Sequence, residues 1–315
     1  MADPTTTRTA AEGDQRADES VGRTGSTSRG PASSTRRRRP SPLRRSWWGY
    51  LLLIAVGLVF LIPLYMLLST SFKTNGDIYS WPMKWLPSEL TFENMREAWR
   101  IAPFGAFIKN SVIVTVIGAT LKVVLAVFAA YAFAFLPFPG KKWLFVVMLG
   151  ALMVPGHVTL LVNYITMGNM GLINTYAGLI LPGVASAFGT FLLRQHFMSL
   201  PAEVFEAAEV DGCGHLRRLI SFTLPMSIPA VVTVALVAVI DEWNNFVWPL
   251  IITNSVNMRT LPIGLMYLKS NDGLTNWGVL MSGTLIVVLP MLFVFLCAQR
   301  YIVSGLTGAA AGNGR

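Results

Sequence analysis

Six stretches of this chain are apolar for long enough to cross a bilayer, which takes about 20 mostly apolar residues. They run Trp47–Ser69, Asn110–Phe135, Trp143–Ile165, Tyr176–His196, Met226–Thr253 and Trp277–Tyr301. The pattern predicts an all-α, polytopic membrane protein with six transmembrane helices. Pro155, Gly156, Pro182 and Gly183 interrupt the third and fourth stretches. Such breaks are tolerated in a membrane when neighbouring helices re-satisfy the freed backbone groups.

Between the fourth and fifth stretches the pattern changes. "SLPAEVFEAAEVDGCG", residues 199–214, carries the start and stop signals of a short helix. Pro201 suits a first helical turn, Glu203 and Glu206 suit the positive end of the helix dipole, and Gly212 suits a left-handed C-terminal position. A helix of about ten residues is marginal by itself in water, so something must hold it. Val204, Ala207, Ala208 and Asp211 fall near one face, where the two alanines let another surface approach closely. A helix lying on the membrane carries large apolar anchors and basic residues; this one is acidic. It reads as a docking peg for another protein, with Pro225 and Pro229 marking the return to the bilayer.

Composition fits. Of 315 residues 53% are hydrophobic and 13% charged, and the mean hydropathy is +0.54. Soluble domains are near a quarter charged. Residues 1–46 hold ten Arg and five Asp or Glu, a net of +5 within a total of +9. Rich in Thr, Ser, Arg, Gly and Pro, they are expected to be a disordered, basic cytoplasmic tail. Residues 47–308 then form the transmembrane domain, with the polar loop at about 199–225, and residues 309–315 a short C-terminal tail. "RRRRPSPLRR" is better read as a flank that keeps the N-terminus inside and touches anionic lipid than as a nucleic-acid site. Lys141, Lys142, Arg194, Arg217, Arg218 and Arg300 fall on the same side as the tail, so the positive-inside bias places both termini in the cytoplasm. The chain is expected in the cell membrane. Cys213 and Cys297 are expected to be free thiols.

Candidate chemistry is sparse. The Gly140–Lys141 pair has Phe135 where a phosphate loop needs its first glycine, and no Ser or Thr follows, so the chain has no ATP site of that kind. No nucleophile–base arrangement or metal spacing is visible, and the three histidines are scattered. Ionisable groups within spans are costly and mark pathways or partners. Lys122 lies about 13 residues, roughly 20 Å, from the outer end of its span, and Asp241 sits at a similar depth in the fifth. Lys122 is expected to pair with Asp241 or Glu242 beside a solute pathway, with Asn244 and Asn245 as further pathway candidates. Trp248 reads as an interfacial anchor and His157 as a packed histidine.

"EAAEVDGCGHLRRLISFTLP" resembles the EAA loop of ATP-binding-cassette importer permeases. "SFKTNGDIYSWPMKWLP", "TFENMREAW", "GLINTYAGLILP", "FLLRQHFMSLP", "WNNFVWPLIIT" and "QRYIVSGLTGAA" are similar to stretches of maltose-type sugar permeases, in particular the six-span second subunit. Cys213, Leu219 and Phe222 depart mildly from the family's usual residues. The resemblance implies a type I importer permease fold and a transported sugar. It implies as partners a second homologous permease, a cytoplasmic ATPase dimer that binds the ATP, and an extracytoplasmic solute-binding protein. Glu206, Ala207, Ala208, Asp211 and Gly212 would then engage the ATPase, with Leu224 and Pro225 anchoring the loop's return. Residues 254–276 would reach the binding protein, chiefly through Thr260, Leu261, Pro262, Ile263 and Gly264. Another solute such as glycerol phosphate, an ion-coupled carrier and a membrane enzyme are weaker alternatives.

Overall fold

The computed structural model describes residues 47–269 and 275–311. The tail at 1–46, the end of the C-terminal tail and part of the outer loop lie outside the described residues. The chain divides into two compact units, Met1–Ala55 and Val56–Arg315. The described part of the first is the start of helix α1 (Trp47–Ser71), where the Trp47 and Trp48 rings lie 4.0 Å apart.

Every regular element among the described residues is helical. After α1 come α2 (Asn75–Ile78), α3 (Glu93–Ile101), α4 (Phe104–Phe135), α5 (Lys141–Ala151), α6 (Gly156–Asn169), α7 (Tyr176–Gly183) and α8 (Ala187–Phe197). The loop helix α9 (Ala202–Val210) follows, then α10 (His215–Met226), α11 (Ile228–Asn244), α12 (Val247–Ile252), α13 (Leu261–Leu268) and α14 (Trp277–Ala311). α1, α4 and α14 are each long and apolar enough to cross a membrane. Three further spans are bent pairs: α5 with α6 at 92°, α7 with α8 at 48°, and α10 with α11 at 84°.

The bends correct the expected boundaries. The third span breaks at Leu152–Pro155, where the fixed φ of Pro155 and its missing N–H end the first helix. The fifth does not run from Met226 to Thr253. It turns at the fully buried Ser227 and stops at Asn244. Before that turn, α10 widens into a π-helical stretch at Leu219–Thr223, and the Leu224 N–H reaches back five residues to the Leu219 carbonyl. The widening sits just before Pro225, whose ring clashes with the carbonyl four residues back in a regular helix. The second span begins earlier than expected, at Phe104. Phe104 and Phe107 are wholly buried against Ala98, Ala102, Trp243, Leu261, Leu268 and Val279.

α4 is the centre of the packing. It lies against α8, α11 and α13, while α14 packs on α11 and α3. Its inward face is small where neighbours cross: Gly118, Ala119, Ala126 and Ala130 are buried. Gly189 of α8 meets it there. A Cβ on Gly189 would lie 3.0 Å from Val234 and 3.3 Å from the Ala126 methyl. Small residues at such crossings let membrane helices approach closely.

The connection from α1 to α3 is also pinned. The Asp77 carboxylate accepts from Lys84 Nζ at 2.6 Å and from the Ser88 N–H and hydroxyl at 2.7 and 3.0 Å. The Lys84 bond foremost, then the Ser88 N–H, holds the carboxyl down at about 2. Asn94 bonds the Lys73 and Ser71 carbonyls, and Ser282 of α14 bonds the Ser71 carbonyl as well.

Gly189→Val should cost about 1–3 kcal/mol through overpacking. It should lower the unfolding midpoint of the detergent-solubilised chain, whereas Gly57→Val, with nothing within 4 Å of the added Cβ, should not. A depressed carboxylate contributes stability above its unfolded pKa, about 4 for aspartate, and loses it as pH falls through the folded value. Asp77→Asn should therefore flatten the loss of tryptophan-reported stability between about pH 4 and pH 2.

Candidate functional site

The loop helix is held at both ends. Pro201, with ψ of 125°, precedes α9 rather than starting it. At the other end the Cys213 N–H reaches the Ala208 carbonyl at 2.9 Å, and the Gly212 N–H reaches Glu209 at 3.0 Å. Gly212 has φ of +69°, the left-handed position expected for it. Together these close the helix as a Schellman turn. Arg218 of α10 donates to the Cys213 carbonyl at 2.7 Å and to the Glu209 carboxylate at 3.2 Å. The Phe205 ring stacks on Phe135 at the end of α4, 4.5 Å between centroids.

This fastening decides which residues face outward. Glu206, Ala207, Asp211 and Gly212 are exposed, and Val210 is 89% exposed. Ala208 is not: it is 3% exposed and turns toward the chain's own body. The expected contact face of Ala207 with Ala208 is therefore split, because Val204 and Ala208 form the i, i+4 row that faces inward. Leu224 packs into the cluster of Ala130, Tyr131, Leu193 and Phe197, while Pro225 is exposed.

The ionisable residues of the spans do meet. Lys122 Nζ lies 2.6 Å from Asp241 Oδ2 and 2.8 Å from Glu242 Oε1, so the lysine has both carboxylates rather than one. The Lys122 and Glu242 side chains are 11% and 4% exposed, and that of Asp241 is 70% exposed. Two glycines make room. A Cβ on Gly118 would sit 3.1 Å from the Glu242 carboxyl carbon, and one on Gly183 would sit 3.8 Å from Lys122 Cε. Helices α4, α7 and α11 thus converge on one ion cluster.

A cavity of about 670 Å³ opens beside this cluster, lined by Lys122, Asp241, Asn244, Asn245 and His157 among others. His157 is exposed there and not packed; it lies in the first turn after the 92° break between α5 and α6. Trp248 is buried and donates to the Gly178 and Leu179 carbonyls at 3.1 and 3.2 Å, so it ties α12 to α7 and is no interfacial anchor.

Residues 254–264 are sewn to the start of α4. Asn110 donates to the Asn257 and Arg259 carbonyls at 2.7 and 2.9 Å, and Ser111 accepts from the Leu261 N–H at 2.7 Å. Asn174 accepts from the Asn254 and Ser255 N–H groups, each at 3.0 Å. Thr260, Leu261, Ile263 and Gly264 are buried and Pro262 is half-buried. They anchor the segment, whereas Asn254, Val256 and Asn257 are the exposed residues. The sequence reading missed Asn110 and Asn174; a polar residue at the edge of an apolar stretch was the available signal.

Residues 122–308 match the family described as binding-protein-dependent transport system inner membrane component. The chain belongs to this family. Among curated relatives, the permease is 35% identical over 279 residues to the probable ABC transporter permease protein YurM of Bacillus subtilis (strain 168), covering 85% of this chain and 90% of that one. It is 32% identical to the sn-glycerol-3-phosphate transport system permease protein UgpE of Pectobacterium atrosepticum, covering 82% and 95%. It is 30% identical to the arabinooligosaccharides transport system permease protein AraQ of Halalkalibacterium halodurans, covering 86% and 98%. The crystal structure of a bacterial ABC transporter involved in the import of alginate shares the fold, with TM-score 0.71 and 20% identity over 81% of this chain and 96% of that one. The permease is thus a multi-pass membrane transport component rather than an enzyme, working with a binding protein and a separate ATPase.

Lys122→Met leaves Glu242 buried without its partner, a loss of about 3–5 kcal/mol. Adding Glu242→Gln to the permease should recover most of it in chemical unfolding; simple addition of the two losses would show the groups to be independent.

Proposed function

We propose that the permease moves a sugar inward and is driven through α9 by a cytoplasmic ATPase dimer. The observation that carries this reading is the fastening of the loop helix. A peg that transmits force must present an exposed surface and yet be rigid against its own bundle. α9 meets both needs: Glu206, Ala207 and Val210 point out, while Phe205, Ala208 and the Arg218 bonds tie it to α4 and α10. Glu206 is the group offered to a basic residue of the ATPase.

The other roles follow from placement. The distribution of basic residues supports both termini, and hence α9, on the cytoplasmic side. Asp241 and Asn244 are exposed although they lie within a span, and polar groups there face a cavity or another subunit rather than lipid. A second homologous permease meets that side and completes the pathway. The opposite face of the loop system, at Asn254, Val256 and Asn257, meets the solute-binding protein. The exposed apolar length of α1 from Val56 onward faces lipid.

Sugar as cargo is supported by the names of the relatives: AraQ is named for arabinooligosaccharides, and the structural neighbour imports alginate. UgpE, at 32% identity, is named for sn-glycerol 3-phosphate, which makes a phosphate ester the second reading.

In vesicles holding the whole complex and its binding protein, uptake should require ATP and survive a protonophore. Glu206→Lys should lower both uptake and binding-protein-stimulated ATP hydrolysis by at least about tenfold, the scale of reversing a paired interfacial charge. Unchanged rates in that variant would remove α9 from the coupling path.

A further inference from the structure

The ion cluster is unevenly exposed. Lys122 and Glu242 are enclosed by α4, α7 and α11, and their charges cancel. Asp241 is bonded to the same ammonium, yet its side chain is 70% exposed and lines the cavity beside Asn244, Asn245 and His157. A second cavity, of about 630 Å³, reaches the same Lys122–Asp241 pair from the side of α5 and α8. The lysine is therefore occupied on two sides by carboxylates and is not offered to an incoming anion. One ammonium against two carboxylates leaves the cluster with one net negative charge, and that charge is carried by the exposed residue.

We propose that this cavity is a cargo subsite on the permease itself, in which Asp241 receives hydroxyl or ammonium donors and turns away phosphate and carboxylate groups. The inference rests on the chain being the permease that lines the pathway. Its volume lies within the range of about 300–1,000 Å³ usual for small-molecule sites. A carboxylate only accepts hydrogen bonds, so it suits the vicinal hydroxyls of an uncharged sugar or the ammonium of an amino sugar. Phosphate oxygens and uronate carboxylates are acceptors too, and they meet like charge in a site of reduced dielectric. Asn244 and Asn245 can supply both donors and acceptors to the same ring. Lys122 acts as a positioning residue, holding Asp241 at the wall while compensating Glu242.

The test reads charge at the cavity wall without the natural cargo. Asn244→Cys is made in the full complex with Cys213→Ala and Cys297→Ala, and modified with cationic and anionic methanethiosulfonates. The cationic reagent should gain roughly tenfold over the anionic one, relative to a free thiol in solution, the scale of steering by a focused charge. Asp241→Asn, which keeps the shape and an acceptor for Lys122, should erase that preference. Chitotriose should protect the Asn244→Cys thiol and trigalacturonate should not. A charge preference equal to that of the free thiol, a preference that survives Asp241→Asn, or equal protection by both trisaccharides would each overturn the proposal. ATP-driven uptake and stimulated hydrolysis in the unsubstituted complex are measured alongside. Their absence would sink the importer reading, while their presence with no charge preference would sink only the subsite.

Discussion

Apolar helices in hydrocarbon gain little by leaving lipid for one another, so a membrane bundle holds together where backbones come close and polar groups find partners. The rest of this structure depends on α4 meeting both conditions. Along one face Gly118, Ala119, Ala126 and Ala130 let α8 and α11 approach, and Gly189 returns the same space from the other side. Along that helix, contacts that fasten other segments appear at three levels. Asn110 and Ser111 hold residues 257–261, Lys122 holds Asp241 and Glu242, and Tyr131 and Phe135 meet α10 and α9. The levels are about 12 and 13 residues apart, or some 18–20 Å each at the rise of an α-helix. One unbroken helix thus gives three distant parts of the chain a common frame.

Burying the charges of Lys122 and Glu242 in such a frame is costly, and an ion pair does not repay its desolvation unless geometry is good and the remaining groups are satisfied. What the cluster provides is register. Greasy surfaces of α4 and α11 slide past each other at small cost, but a displacement of one helical turn would leave Glu242 buried without its ammonium. Gly118 fits this role. It stands one turn before Lys122, and its missing side chain is what allows the Glu242 carboxyl to lie against the α4 backbone.

What the sequence made legible is what is decided locally. The helical character of the apolar stretches, the existence of α9 and the left-handed Gly212 depend on neighbours within a few residues and agree with the pattern. The second and fifth spans have other bounds, and α9 starts one residue after Pro201. The misreadings concern direction and partners. Ala208 turns inward because Phe205 docks on Phe135, a residue 70 positions away. His157 is exposed because a 92° bend opens beside it. Thr260–Gly264 looks like a contact surface by resemblance, yet Phe104 and Phe107, gained by the earlier start of α4, leave it no room to be one. The pairing of Lys122 with Asp241 or Glu242 is no misreading: both adjacent residues near the end of α11 reach it.

The broken helices complete the picture when read as joints. Between α9 and Asp241 the chain passes through the π-helical stretch of α10 and the 84° turn at Ser227. The covalent route is therefore not a straight rod: it changes helix type at Leu219–Thr223 and direction at Ser227. The other route has no joint. Phe205 rests on Phe135, and from Phe135 back to Lys122 the backbone of α4 is a continuous helix. Lys122 then holds the C-terminal end of α11 through Asp241 and Glu242. If α9 is the coupling helix proposed above, force applied to it would reach the ion cluster more directly through one ring stack and one continuous helix than along the chain itself. On the proposed coupling role of α9, the ammonium of Lys122 is where its motion would become motion at the wall of the cavity.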